Sequence, residues 1–308
     1  GALIFAMFLD RLRGKERGVT ALIRYPLRLL TLQQGQRLLR LVVHAELVRL
    51  KEKVAGWPFE IGFWVGGSNT PNRYSHVPLV VPILGDALHL DDAQLEEDSA
   101  AGGEDAEKDA LQYREYRAAY DKIPSCPVCG KKTGLRRLTS DGPTARRLVV
   151  VCFDPKCPYN HAHGRIEPLP FLLTDDTIYQ RAPSIVLGTI DKLAMLGQST
   201  TTIRSFLGMF GLARGIGPTG HLVAPRTEGD IEANLGADGY EPVYPTFRKG
   251  KRVYFDPFPS LIVQDEAHLL EESLGTFSGL FDGLLEQSFR NISEMAGQEL
   301  NVARIWTG

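Results

Sequence analysis

Two groups of residues in this 308-residue chain have the types and spacing to do chemistry. The first is Asp265, Glu266 and His268, which follow the apolar run Leu261-Ile262-Val263-Gln264. A hard divalent cation such as Mg²⁺ takes oxygen ligands and keeps several waters, so one Asp fixed at a strand tip can hold it, through water, against a nucleotide phosphate. Glu266, pointing elsewhere, can take a proton from an attacking water, and His268 can sense the terminal phosphate or relay its loss. Such chemistry needs positioning and charge stabilisation more than covalent steps. The plainer alternative is a helix N-terminus carrying acids that suit its dipole.

The second group is Cys126-Pro-Val-Cys129-Gly130 and Cys152-Phe-Asp-Pro-Lys-Cys157, two short-spaced pairs separated by 22 residues that use every cysteine in the chain. The first pair has the form of a knuckle, with Gly130 letting backbone amides approach sulfur. Four thiolates suit a tetrahedral Zn²⁺ with no open position, hence a structural site. The spacing of the second pair is looser than usual, which admits His161 or His163 as a replacement ligand. A redox pair and buried unpaired cysteines are the competing readings. Lys131, Lys132, Arg136, Arg137, Arg146 and Arg147 make the same module basic, either as a solvated ribbon or as a contact for a phosphate backbone.

Both groups need elements to position them. Residues 19–25 (VTALIRY) are β-branched and apolar before Pro26, which predicts a buried strand. Residues 27–54 carry apolar positions at helical spacing, 59–65 (FEIGFWV) predict a second strand, and 184–189, 260–264 and 302–306 predict three more. Strands alternating with helices imply an α/β fold with a mostly parallel sheet covered on both faces, and the functional loops of such sheets lie at the carboxyl ends of the strands. The segment 211–256 is rich in Gly and Pro, with a basic hairpin tip at 248–252. Its aromatic residues Tyr240, Tyr244, Phe247, Tyr254 and Phe255 suit local packing or base stacking equally.

Composition narrows the class. The chain is 43% hydrophobic and holds four cysteines, which excludes a secreted disulfide scaffold. No run approaches the ~20 apolar residues of a membrane span, so the expectation is a cytoplasmic protein without membrane contact. Its net charge of -2 is a sum of unlike parts. Residues 1–56 hold eleven Lys/Arg against four Asp/Glu, and 122–165 hold nine against two, each as basic as many phosphate-contacting surfaces. Residues 86–109 hold ten acids and one base around a Gly-Gly stretch, which predicts a flexible acidic linker; an acidic helix is the alternative only over 106–120.

The run LIVQDEAHLL resembles motif II, the Walker B element of superfamily 2 helicases, and other segments fall in that family's order. ALIRYPLRLLTLQQ (21–34) is similar to motif Ia, Phe63-Trp64-Val65-Gly66-Gly67 to the Gly-Gly turn after the next strand, and IVLGTIDKL (185–193) to an element that touches the nucleic-acid backbone. Ile305-Trp306-Thr307-Gly308 falls where motif III begins. The resemblance covers most of 1–68 and 181–308. Together with a large insertion and a cysteine-pair module, it looks most like bacterial helicases of the DISARM phage-defence type, the DrmA-like group.

The resemblance implies a RecA-like (P-loop NTPase) fold interrupted by a zinc-ribbon-like insertion. Its parts would be helicase domain 1 in 1–68, an acidic linker in 69–121, the zinc module in 122–168 and the rest of domain 1 in 181–308. It implies ATP and Mg²⁺ at Asp265, water activation by Glu266 and coupling by His268. Arg24, Arg28, Gly66, Gly67, Thr189 and Lys192 would line a track for one strand of nucleic acid, expected to be DNA, with protein partners in a defence or repair complex. From the residues alone, Arg24 is equally a strand-end charge, whereas Lys192 is the stronger candidate because it opens a helix at a strand tip. The Gly-Lys-Thr/Ser phosphate loop of the family does not occur in the sequence. Residues 1–13 would be the helix that follows that loop, and both ends read as cut inside a folded unit, so the fragment alone is expected to be inactive. The reading from a different class is a catalytically silent zinc-containing nucleic-acid-binding or scaffold protein.

Overall fold

The computed structural model describes residues 1–25, 28–65, 122–138, 147–189, 192, 199–210, 215–216, 220–223, 258–265, 272–296 and 304–307. The acidic stretch 86–109, the tip at 248–252 and the aromatic residues of 240–255 lie outside them. The described elements are α1 (Ala2–Leu12), β1 (Ala21–Tyr25), α2 (Arg28–Lys51), β2 (Ile61–Trp64), β3 (Thr133–Leu138), β4 (Arg147–Cys152) and α3 (Pro158–His163). They continue with β5 (Phe171–Leu172), α4 (Asp175–Arg181), β6 (Ile185–Thr189), α5 (Thr200–Gly208), β7 (Gly215–Ile216), β8 (Leu222–Val223), β9 (Leu261–Gln264), α6 (Glu272–Ala296) and β10 (Arg304–Thr307).

Six strands form one parallel sheet in the order β10-β9-β1-β6-β2-β5. The five strands expected from the sequence are all in it. The central strands β1, β2 and β6 are short and apolar because both faces are covered, and they are buried at every position. Alternate side chains enter two separate cores. Ala21, Ile23, Phe63, Ile185 and Leu187 pack with α1 and α2, while Leu22, Trp64, Val186 and Ile262 pack with α4, α5 and α6. The second core is aromatic, with Trp64 stacked on Phe206 at 5.3 Å and Phe210 edge-on to Phe289 at 5.0 Å. Gly188 admits that packing: a Cβ there would lie 3.0 Å from the Trp64 ring and 3.2 Å from its carbonyl oxygen.

α2 buries Leu39, Val42, Val43 and Glu46 on one stripe and exposes Arg40, His44 and Lys51 on the other. Its end is joined to β2 by Glu46, which accepts two bonds from Arg49 at 2.7 Å and one from the Phe59 amide at 2.9 Å. At the amino ends of the strands, Asp10 of α1 accepts from Thr20 at 2.8 Å and from Ser260 at 2.9 Å. The buried Lys15 ammonium stands 3.6 Å from the same carboxylate and donates to the carbonyls of Val19 and Phe258. Helix α1 is thereby fastened to the bases of β1 and β9.

These contacts narrow the basic count of 1–56, comparable to that of many phosphate-contacting surfaces, to the cations that stay exposed, among them Arg13, Arg37, Arg40, Lys51 and Lys53. Arg11, Lys15, Arg17, Arg24 and Arg49, five of its eleven cations, are buried and bonded internally. Long cationic side chains satisfy buried carbonyls and carboxylates where chain segments meet, and composition does not separate that use from a solvent-facing one.

Candidate functional site

The cysteine module is an antiparallel hairpin, β3 with β4, closed by two knuckles. In the first, the Cys126 amide donates to the Lys131 carbonyl at 2.7 Å and the Gly130 amide donates to the Cys126 carbonyl at 2.9 Å. Gly130 has φ +73°, a left-handed conformation that glycine adopts without strain. In the second, Cys157 precedes α3, and Asn160 on that helix donates to the carbonyls of Cys152 and Asp154, both at 2.8 Å. Lys131 bridges the knuckles by pairing with Asp154 at 2.9 Å.

The four sulfur atoms lie within 4.8 Å of one another, with Cys126 and Cys157 at 3.7 Å and Cys129 and Cys152 at 3.5 Å. Ligands about 2.3 Å from a tetrahedral zinc stand about 3.8 Å apart, so the cluster fits that ion. All four cysteines are free thiols, with separations far beyond a sulfur–sulfur bond of about 2 Å. The looser second spacing does not recruit a histidine: the His163 ring is hydrogen bonded through Nδ1 to the Tyr159 carbonyl oxygen at 2.8 Å, and neither His161 nor His163 joins the cluster. Burial pushes the Cys126 thiol up to about 11 and raises Cys152 further. Burial also acts on Cys129, but hydrogen bonds from the Lys131 backbone and the neighbouring thiols outweigh it and bring that thiol below its ordinary value.

The module is packed on the sheet protein. Cys126, Cys152, Cys157 and Tyr159 share the first core with Leu39, Val42 and Phe63, and Gln36 on α2 donates to the Lys122 carbonyl at 2.8 Å.

Asp265, the described member of the carboxylate group, lies at the carboxyl end of β9. The connection leaving β1 leads toward β2 and that leaving β9 leads toward β10, on opposite sides, so adjacent β1 and β9 form a switch point of the sheet. Ligand crevices of open parallel sheets form outside such points. Asp265 stands there, immediately after β9, its amide donating to the Arg24 carbonyl at 3.0 Å. Gln264 braces the same turn through a bond to the Asp265 carbonyl at 2.8 Å, and its own Oε1 is buried without a hydrogen-bond partner among the described residues. Burial, and then the Asp265 charge, raise the Tyr25 hydroxyl above its ordinary value. Tyr25 is paired in register with Thr189, which is fully buried at the end of β6.

Of the other residues selected from sequence, Arg24 is buried on the second core face and pairs with Asp282 of α6 at 2.6 Å. Lys192 is buried and pairs with Asp175 at 2.5 Å. Arg28 opens α2, with its side chain outside the described residues, as are Gly66, Gly67, Glu266 and His268. The partners Asp175 and Asp282, and the bracing Gln264, escaped the sequence reading. Asp175 follows Thr174 at a helix start, where acids are common without any further role.

The fold and sites thus define an α/β protein with a parallel sheet and a four-cysteine module that fits zinc, in which no helix of the described residues is long and apolar enough to cross a membrane. No protein-family model matches the chain. It is similar to the DISARM protein DrmA of Bacillus paralicheniformis, with 29% identity over 281 residues that cover 89% of this chain and 21% of that protein. The chain spans about a fifth of the length of this curated relative.

Proposed function

We propose that this chain is part of the first RecA-like domain of an ATP-dependent helicase or translocase that moves on DNA in bacterial anti-phage defence. The observation that carries the reading is Asp265, held by its backbone against the tip of β1 at the switch point of a parallel sheet. The likeness to a DISARM protein supports the defence setting.

When bound, Mg²⁺ with ATP supplies charge neutralisation at the transferring phosphate. Asp265 is the residue that holds the ion, at a place its amide bond to Arg24 fixes. Glu266 takes the proton of the attacking water, and His268 couples the nucleotide state to the rest of the protein. The phosphate loop of the family is absent from these residues, so turnover belongs to a longer polypeptide. Arg24, Arg28, Gly66, Gly67, Thr189 and Lys192 are the residues assigned to the track of the nucleic-acid strand. The four cysteines hold a structural Zn²⁺, since a site filled by four thiolates keeps no position for substrate.

The test is ATP hydrolysis by the intact protein with and without single-stranded DNA. Stimulation by DNA, reduced roughly 10²–10⁴-fold in Glu266→Gln with DNA binding retained, supports a motor. DNA binding without turnover in the wild type supports the silent zinc-containing scaffold instead.

A further inference from the structure

Resting on the functional reading above, we propose that Lys192 does not itself contact a nucleic-acid phosphate. Paired with Asp175, it is a positioning residue, an internal clamp that fixes the tip of β6 for the strand.

The geometry of the pair carries the proposal. Lys192 Nζ lies 2.5 Å from Asp175 Oδ2, and the two side chains are only 9% and 8% exposed. An ammonium that meets phosphate in solution must reach the surface. Drawing Lys192 outward leaves a buried carboxylate without its cation, one of the costliest states for a folded chain. Asp175 Oδ1 already has no hydrogen-bond partner, so among the described residues no second donor stands there to replace the ammonium. Burial raises the Asp175 carboxyl to about 6 even with Lys192 beside it, so desolvation outweighs the attraction of the pair. Such a pair is a poor stabiliser, and fixing one geometry is its best-attested use.

The clamp has a rigid seat. Asp175 opens α4, whose Ile178 and Tyr179 are buried in the second core. Arg181 at the other end of α4 bonds Glu60 at 2.5 Å, and the Trp64 indole donates to the Tyr179 hydroxyl at 3.0 Å. The helix is therefore tied to β2 and to the residue preceding it. Lys192, three residues beyond the end of β6, transmits that position to the strand tip. Thr189 Oγ1, buried and without a hydrogen-bond partner among the described residues, is the polar atom held at this tip.

Counterion release separates the two roles. A cation that neutralises a phosphate of single-stranded DNA contributes about 0.7 to the slope of log affinity against log salt, and a positioning residue contributes none. Binding of labelled oligodeoxythymidine to the intact protein is measured across a salt series for wild type, Lys192→Met, Asp175→Asn and the double variant. The clamp predicts affinities weakened roughly 2- to 30-fold in all three, the double no worse than the singles, with the wild-type slope unchanged. A slope lower by about 0.7 in Lys192→Met, with Asp175→Asn binding as wild type, overturns the clamp. If Lys192→Met does not fold, Asp175→Asn and the charge-free double variant decide alone, and wild-type affinity in both overturns it. Failure of the wild type to bind DNA overturns the functional reading instead. The pair then reads out in thermal unfolding, where coupling predicts that the double variant melts above Lys192→Met and additive losses contradict it.

Discussion

The cysteine module and the strand tips bury polar groups in opposite ways. In the module, four sulfur atoms converge from two knuckles that lie close in sequence, each shaped by local backbone bonds such as Gly130 to Cys126. At the tips, Asp265, Tyr25 and Thr189 come together from three adjacent strands, and the cations among them are taken up by carboxylates on α4 and α6. The module's four sulfur atoms fit one tetrahedral ion, and the tips are arranged by a sheet. Loss of a bound ion is therefore expected to disorder a whole unit, while loss of one tip residue is expected to shift a geometry.

The largest expected effect tests the first half of that contrast. Replacing Cys126 and Cys129 by serine removes one zinc per chain, read by elemental analysis, and lowers the melting temperature sharply, because metal-binding energy in such modules is folding energy. Unchanged metal content sinks the zinc assignment. Next comes Lys192→Met, which leaves the Asp175 carboxylate buried alone and is expected to cost about 3–5 kcal/mol in denaturant unfolding. Adding Asp175→Asn recovers most of this, since no charge is then buried.

Gly188→Ala tests the sheet against the second core. Its Cβ meets the Trp64 ring at 3.0 Å, and overpacking of this kind costs about 1–3 kcal/mol. The smallest effect is in pH. The carboxyl of Asp175, ordinarily at 3.8, stands at about 6 in the fold because of burial, opposed by Lys192 and reinforced by Asp176. The folded chain therefore holds a proton that the unfolded chain releases. The associated stability is full below 3.8 and is lost as pH rises through about 6. Asp175→Asn removes this slope from the unfolding curve.

The sheet was legible because strands buried on both faces are short apolar runs, as in SIVLGT and SLIVQ, and the four-cysteine cluster because its sulfurs come from two short-spaced pairs. Edge strand β5 was not legible: two residues, Phe171 and Leu172, carry no periodicity. Neither were the partners of the tip cations. Arg24 and Asp282 are 258 residues apart, and only the packing of α6 across the sheet brings them within 2.6 Å. The same limitation explains why the basic count of 1–56 suggested a surface, when Lys15 and Arg49 serve interior carbonyls and carboxylates.

Zinc content and DNA-stimulated ATP hydrolysis, measured on the same preparations of intact wild type and Asp265→Asn, test the central claim most directly. The account predicts one zinc per chain in both, with turnover present in the wild type and lost in the variant. Turnover that survives Asp265→Asn, or a wild type that hydrolyses no ATP with DNA present, contradicts it.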